Sequence, residues 1–275
     1  MNVSLLATST AFICGLMVGS FLNVCIWRLP AEEQIVKGRS HCRSCQHLIP
    51  WYDNVPMMSF LLLRGKCRFC GARISWSYPA VELATGILFA GLLYRFGATA
   101  VTAFYAVFAA ALIVATVIDA REMIIPDEIT KPGLGVGLIF SFLVPALHGT
   151  ASRWEGLWAG ALGAFVGWGI VFLMAAAGKR LFRKKLRSIG EEDAMGGGDL
   201  KLMAMVGAFI GWPKVLLVNL FLAPLVGSVV GLALRLREGR DLMPYGPFLA
   251  LGTLVAIFWG DPMIQWYRNL FVGLQ

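Results

Sequence analysis

The chain has few charged residues. Only 15% of its 275 residues are Asp, Glu, Lys or Arg, whereas 58% are hydrophobic. A soluble domain of this size cannot cover so much apolar surface, so the composition excludes that class and indicates a protein dissolved in lipid. The net charge of +8 does not by itself indicate a nucleic-acid partner, because basic residues of membrane proteins gather in cytoplasmic loops.

The first 27 residues carry no charged side chain, and Arg28 follows them. A secretory signal places positive charge before its apolar stretch, so this order argues against a cleaved signal. It predicts instead a retained transmembrane helix, residues 1–27, whose N-terminus lies in the periplasm.

The apolar runs predict an all-α polytopic membrane protein with about eight transmembrane helices. About 20 apolar residues cross a hydrocarbon core of about 30 Å. Six runs are free of charge, one further run contains Glu82 near its start, and another is only about three turns long. The predicted spans are 1–27, 76–94, 96–118, 132–152, 156–178, 202–213, 215–234 and 242–260.

The basic residues support this topology. With a periplasmic N-terminus, 20 of the 24 Lys and Arg residues fall in the cytoplasmic segments 28–75, 119–131, 179–201 and 235–241. Seven or nine spans would break this alternation. The fifth span also has glycines three or four residues apart, which predicts close packing of helix backbones (Gly156, Gly160, Gly163 and Gly167).

The cytoplasmic segment between the first two spans contains two C-x-x-C pairs, Cys42/Cys45 and Cys67/Cys70. Four thiolates in this arrangement are typical of a tetrahedral zinc site, and the absence of an open position indicates a structural role. Two disulfides or unligated thiols are the alternatives, and the reducing cytoplasm disfavours disulfides. We therefore predict a zinc domain at residues 28–78.

Two aspartates lie at the cytoplasmic ends of predicted spans, where an ionised carboxylate is costly. Asp119 follows an uncharged run, and Asp199 follows three glycines and precedes the shortest span, which must extend through the glycines to cross lipid. Two such carboxyl groups facing each other can share one proton and act as general base and general acid. Asp127 and Glu128, beside Pro126, are interpreted as solvated loop acids.

The chain resembles the type IV prepilin peptidases, which are leader peptidases and N-methyltransferases of pilus and type II secretion systems. The Gly-Gly-Gly-Asp string at 196–199 is also similar to the GxGD signature of presenilin-like intramembrane proteases. The resemblance is carried by Gly19-Ser20-Phe21-Leu22-Asn23-Val24, Arg28-Leu29-Pro30, both cysteine pairs, Trp51-Tyr52-Asp53-Asn54-Val55-Pro56, Tyr78-Pro79-Ala80-Val81-Glu82, Asp119 with Ile125-Pro126-Asp127, and Gly196-Gly197-Gly198-Asp199-Leu200-Lys201.

This resemblance implies that Asp119 and Asp199 are the catalytic pair of a peptidase domain, residues 79–275. The expected substrates are type IV prepilins or type II secretion pseudopilins, cleaved at the cytoplasmic face of the bacterial inner membrane. We expect Gly196, Gly198 and Lys201 to contact the substrate, since glycine lets an extended peptide backbone approach closely. No nucleic-acid partner is expected.

The resemblance also implies methylation of the new N-terminal residue with S-adenosylmethionine. The sequence has no G-x-G-x-x-G fingerprint between a strand and a helix, so the cofactor pocket must be built differently. The polar candidates near the cysteine domain and the first span are Asn23, Asp53, Asn54 and Glu82.

Three other interpretations remain open. A proton-coupled transporter would use the same membrane carboxylates as a relay, although no repeated pair of broken helices is evident. A zinc-bearing assembly scaffold would need no catalysis. A peptidase without methyltransferase activity would keep only the first reaction.

Overall fold

A computed structural model describes residues 4–36, 38–188, 193, 195–238 and 243–272. The described part of the chain is helical and contains no strand, only two isolated bridges in the cysteine segment. The helices are α1 (Leu5–Arg28), α2 (Met58–Leu62), α3 (Ser77–Phe96), α4 (Ala100–Glu122), α5 (Asp127–Leu143), α6 (Arg153–Leu181), α7 (Arg183–Ser188), α8 (Gly197–Ile210), α9 (Trp212–Leu217), α10 (Ala223–Glu238) and α11 (Gly246–Val272).

Among the residues that the structure describes, six helical stretches are long and apolar enough to cross a membrane, which confirms the polytopic all-α prediction. They are Leu5–Arg28, Ser77–Phe96, Ala100–Glu122, Arg153–Leu181, Trp212–Leu234 and Gly246–Leu270. The other two predicted spans correspond to the shorter helices α5 and α8, of 17 and 14 residues. The count of eight spans therefore stays a prediction.

The chain divides into two compact units, Met1–Val114 and Ala115–Gln275. In the first unit, α1 packs against α3 through glycines. A Cβ built on Gly15 would lie 2.7 Å from the Gly86 Cα atom, and one built on Gly19 would lie 2.7 Å from the Glu82 Cα atom. These pairs run in opposite directions along the chain, so α1 and α3 are antiparallel.

In the second unit, α8 is the central helix, and every residue from Leu202 to Ile210 is buried. Helix α6 presents glycines to it: Gly163 lies against the Gly207 backbone and Gly167 against Met203. The predicted close packing through the glycines of the fifth span is therefore confirmed. The short span ends because Gly211 adopts a positive φ of 77°, after which α9 begins a new helix.

The stretch from Trp212 to Leu234 is a single membrane-length element with a local irregularity. Its α9 and α10 segments are joined by a π-helical turn, Val218–Leu222, rather than by a break in the helix. The observed helix begins at Trp212, three residues before the predicted span 215–234, because Pro213 is accommodated in the first turn of the helix.

Candidate active site and metal centre

The four cysteines of the two C-x-x-C pairs converge in the first unit. Their sulfur atoms all lie within 4.8 Å of one another. No disulfide joins any of the six cysteines, all of which lie in the described part of the chain. This donor set and geometry fit a tetrahedral metal ion of the zinc type.

The two cysteine pairs have the same local fold. The Cys42 N–H donates to the His47 carbonyl at 2.9 Å, and the Cys67 N–H donates to the Ala72 carbonyl at 2.8 Å. Four residues after each first cysteine, Gln46 and Gly71 both take a positive φ, which turns the chain back over the sulfur. Each pair is therefore a tight knuckle of the kind that presents thiolates to a metal.

Backbone donors prepare one of these thiols for metal binding. The backbone N–H of Cys45 is the main cause that lowers the pKa of the Cys42 thiol to about 6. Burial opposes this shift, and the N–H of Ser44 adds to it. A thiol with this pKa is largely ionised at neutral pH, and the thiolate is the form that binds metal.

A cavity of about 610 Å³ lies beside the metal cluster in the same unit. Its walls come from the C-terminal part of α1, the N-terminal part of α3 and the cysteine segment. All four residues predicted to contact the cofactor line it: Asn23, Asp53, Asn54 and Glu82.

Three of these four side chains are already bonded to the protein. Asp53 receives two hydrogen bonds from the Arg68 guanidinium, at 2.6 and 2.7 Å, which lower the pKa of its carboxyl group. Asn23 donates to the Tyr78 carbonyl at 3.1 Å. Glu82 accepts the Met57 N–H at 2.8 Å. These contacts shape the wall of the cavity.

The two predicted catalytic aspartates lie in the second unit. Asp119 is in the last turn of α4 and Asp199 is in the first turn of α8, and their exposed fractions are only 5% and 8%. The two carboxyl groups are close enough to interact electrostatically. The helix carrying Asp199 begins at Gly197, so it extends into the glycine run as predicted.

A third segment, which the sequence analysis did not identify, is hydrogen-bonded to Asp119 and interacts electrostatically with Asp199. The Gly246 N–H, in the first turn of α11, donates to Asp119 Oδ2 at 2.9 Å. Next to it, burial and then the negative charge of Asp199 in its ionised form raise the pKa of the Tyr245 hydroxyl to about 12. The only sequence signal was the Tyr245-Gly246-Pro247 string, which is typical of a turn.

The connection between α4 and α5 holds the start of α8. A Cβ built on Gly198 would lie 2.9 Å from the Ile125 Cβ atom. The Lys201 Nζ lies 2.6 Å from Asp127 Oδ1, and Lys131 Nζ lies 2.6 Å from Asp127 Oδ2. The prediction that Asp127 and Glu128 lie in a loop was wrong: Pro126 caps α5, and both acids occupy its first turn.

Comparison with known proteins gives two family matches along the chain. Residues 13–96 match the bacterial peptidase A24 N-terminal domain, and residues 106–232 match the type IV leader peptidase family. A prepilin leader peptidase/N-methyltransferase of Aeromonas hydrophila is 34% identical over 291 residues, which cover 96% of this chain and 94% of that protein. The chain belongs to the type IV leader peptidase family.

Two further members of this family show the same relation. The Bacillus subtilis (strain 168) protein of the same name is 34% identical, over 96% of this chain and 99% of its own length. The Myxococcus xanthus (strain DK1622) protein is 40% identical over 83% of this chain, and the match spans 63% of that relative. No solved structure matches the chain significantly. Family membership confirms the resemblance and favours the enzyme over the transporter and scaffold interpretations.

Proposed function

We propose that this chain cleaves the leader peptides of type IV prepilins and then methylates the new N-terminal residue. The observation that carries the peptidase half is the pair of buried, interacting carboxyl groups of Asp119 and Asp199 at the ends of two apolar helices. The names of the relatives support both halves. Pseudopilins of type II secretion systems belong to the same proposed substrate class.

Asp119 is the general base of the proposed dyad. Its carboxylate accepts the Gly246 N–H at the N-terminus of α11, a helix of 27 residues. A helix N-terminus favours negative charge through its free N–H groups and its dipole. The shared proton therefore rests on Asp199.

Hydrolysis then follows without a metal at this centre. Asp119 takes a proton from water as the water oxygen bonds to the scissile carbonyl carbon. Asp199 gives its proton to the leaving nitrogen as the C–N bond breaks, and one proton transfer between the two groups restores the resting state.

The substrate approaches across the N-terminal end of α8. Gly196 carries no side chain there, which leaves room for an extended peptide. The Cβ position of Gly198 faces Ile125, so the proposed substrate contact of Gly198 is made through its backbone. Lys201 stays a proposed substrate contact, and its ammonium group is also paired with Asp127. The ion pair between Lys201 and Asp127 holds α8 against α5 and keeps the Lys201 ammonium group near the proposed substrate path.

The methyl transfer is assigned to the cavity of the first unit. Its volume of about 610 Å³ is in the range of small-molecule pockets, and it combines aromatic walls with Asn23, Asn54 and Glu82. S-adenosylmethionine, when bound there, supplies the methyl group. The Asp53–Arg68 pair ties the second cysteine knuckle to this cavity, so the proposed zinc ion orders the pocket rather than taking part in the reaction.

The proposed location is the bacterial inner membrane, with the N-terminus in the periplasm and both reaction centres at the cytoplasmic face. The distribution of basic residues supports this orientation. A prepilin has a cytoplasmic basic leader and an apolar stem, so its cleavage junction lies at this face of the membrane.

The decisive experiment is leader cleavage by purified Asp119→Asn and Asp199→Asn proteins. Asparagine keeps the size of the side chain but neither accepts nor delivers the proton, so each variant should lose at least about 100-fold in kcat while its thermal unfolding stays that of a folded protein. Either variant cleaving at the native rate removes that residue from the mechanism. Mass spectrometry of the product N-terminus tests methylation separately.

A further inference from the structure

Helix α2 lies in the cysteine segment, yet three of its five residues are large, apolar and exposed. Met58, Leu61 and Leu62 are 57%, 60% and 77% exposed. The opposite side of the helix is used by the protein: Ser59 is buried, and Phe60 lines the cavity beside the metal cluster. A cytoplasmic loop with this distribution would leave a cluster of apolar side chains in water.

The depth in the membrane at which Met57, the residue before α2, is anchored indicates what covers this face. The Met57 N–H is bonded to Glu82, which lies five residues into α3 and therefore about 7.5 Å along its axis. Helix α3 has 20 residues, about 30 Å, which only just matches the hydrocarbon core. It can cross the bilayer only with nearly its whole length immersed, so Glu82 lies below the boundary of the core.

A second contact fixes the middle of α2 near the boundary. The Phe60 ring packs edge-to-face on the Trp76 ring, with the centroids 4.8 Å apart. Trp76 immediately precedes α3 and is itself 74% exposed, the position and residue type that mark a membrane–water interface. Helix α2 therefore lies between the level of Glu82 and the level of Trp76.

The charged residues next to α2 are consistent with a position at the membrane–water interface. Arg64 and Lys66 follow α2 directly and are both exposed. Basic side chains at headgroup level attract anionic phospholipids. Between Met58 and Leu63 the chain carries no charge.

We propose that α2 is an interfacial helix whose Met58, Leu61 and Leu62 side chains insert into the cytoplasmic leaflet. The occupant of this apolar face is phospholipid. The cysteine segment is then held at the membrane surface at three places: the end of α1, the start of α3 and this helix. The inference rests on the anchoring contacts and does not depend on the enzymatic assignment.

The test is photo-crosslinking of the full-length protein in nanodiscs that contain a phosphatidylcholine with a diazirine in its acyl chain. Adduct sites are then located by mass spectrometry. Ile13 and Met17, which are exposed on the membrane helix α1, give the reference level of labelling. Phe69 is the matched control, since it is apolar and 50% exposed but lies in the second cysteine knuckle.

The expected result is labelling of Met58, Leu61 and Leu62 at the level of Ile13 and Met17, with Phe69 unlabelled. Labelled α1 positions together with an unlabelled α2 would overturn the proposal. So would protein–protein crosslinks at α2 in place of lipid adducts, because they would assign this face to a second copy or to another segment of the chain.

Discussion

At the scale of single residues, Gly246 holds Asp119 because it has no side chain. A Cβ at this position would lie 2.6 Å from Asp119 Oδ2, closer than two such atoms can approach. Gly246→Ala should therefore displace the carboxylate and weaken its bond to the α11 N-terminus. We expect kcat for leader cleavage to fall about 100-fold, the cost of misplacing a catalytic group by about 1 Å.

The control for this variant is Gly135→Ala, because a Cβ at Gly135 meets no atom within 4 Å. Both proteins are assayed with the same prepilin peptide, and KM is measured beside kcat. A Gly246→Ala protein with normal kcat would show that the α11 N-terminus does not position the base.

The neighbouring glycines before Asp199 give a second residue-scale prediction. A Cβ at Gly198 would lie 2.9 Å from the Ile125 Cβ atom, whereas a Cβ at Gly197 meets nothing within 4 Å. Gly198→Ala should push α8 away from the connection between α4 and α5 and lower cleavage at least about tenfold, since geometry at the reacting groups is disturbed. Gly197→Ala should remain within about twofold of the native rate, since exposed glycines tolerate alanine. Equal rates for the two variants would contradict this packing argument.

The sequence alone was sufficient to place Asp119 and Asp199 at the ends of apolar helices, where a carboxylate stands out from its surroundings, while their catalytic role came from the family resemblance and stays a prediction. It was also sufficient for the four cysteines, since metal ligands of this kind are close in sequence. Gly246 could not be found in this way: its hydrogen bond joins residues 127 positions apart, and a glycine in an apolar run is usually a packing residue.

At the scale of helices, α6 and α8 are held together by backbone contact at Gly163 and Gly207. Gly163→Leu should separate the two helices, at a cost of about 1–3 kcal/mol for an overpacked interface. The expected result is a lower thermal unfolding temperature in detergent together with slower cleavage, because α8 carries Asp199. Gly169→Leu is the control in the same helix, since Gly169 has open space around it. Equal melting temperatures would exclude a structural role for this contact.

Helix positions followed from the apolar runs, while the ends of helices did not. The start of α8 in the glycine run was predicted correctly. The start of α5 was not: Asp127 and Glu128 were interpreted as loop residues, yet Pro126 is the N-cap of the next helix and both acids lie in its first turn. Proline is compatible with a loop and with the start of a helix. The first turn of α5 also carries the Asp127 contacts with Lys131 and Lys201, which join residues that the sequence does not show to be close.

At the scale of the whole molecule, the two proposed reactions use residues of different compact units. The cysteine cluster and the cavity lie in Met1–Val114, and both aspartates lie in Ala115–Gln275. Removal of the metal should therefore lower methylation much more than leader cleavage. Cys42→Ser should contain less zinc by elemental analysis and transfer fewer methyl groups, as judged by mass spectrometry of cleaved peptide.

Cys14→Ser is the matched control for this prediction, because Cys14 lies in α1 outside the cluster. Its zinc content and both activities should equal those of the native protein. An unchanged zinc content in Cys42→Ser would contradict the metal assignment, and equal loss of both activities would show that the units do not act separately.

The burial of α8 has a consequence for how the enzyme responds to membranes of different thickness. Because Leu202 to Ile210 are all covered by protein, no acyl chain touches this part of the helix that carries Asp199. A thicker or thinner bilayer acts on lipid-facing helices through hydrophobic mismatch, and α8 is shielded from that force. Its 14 residues, about 21 Å, do not have to match any bilayer, so the position of Asp199 is set by protein packing and not by lipid chain length.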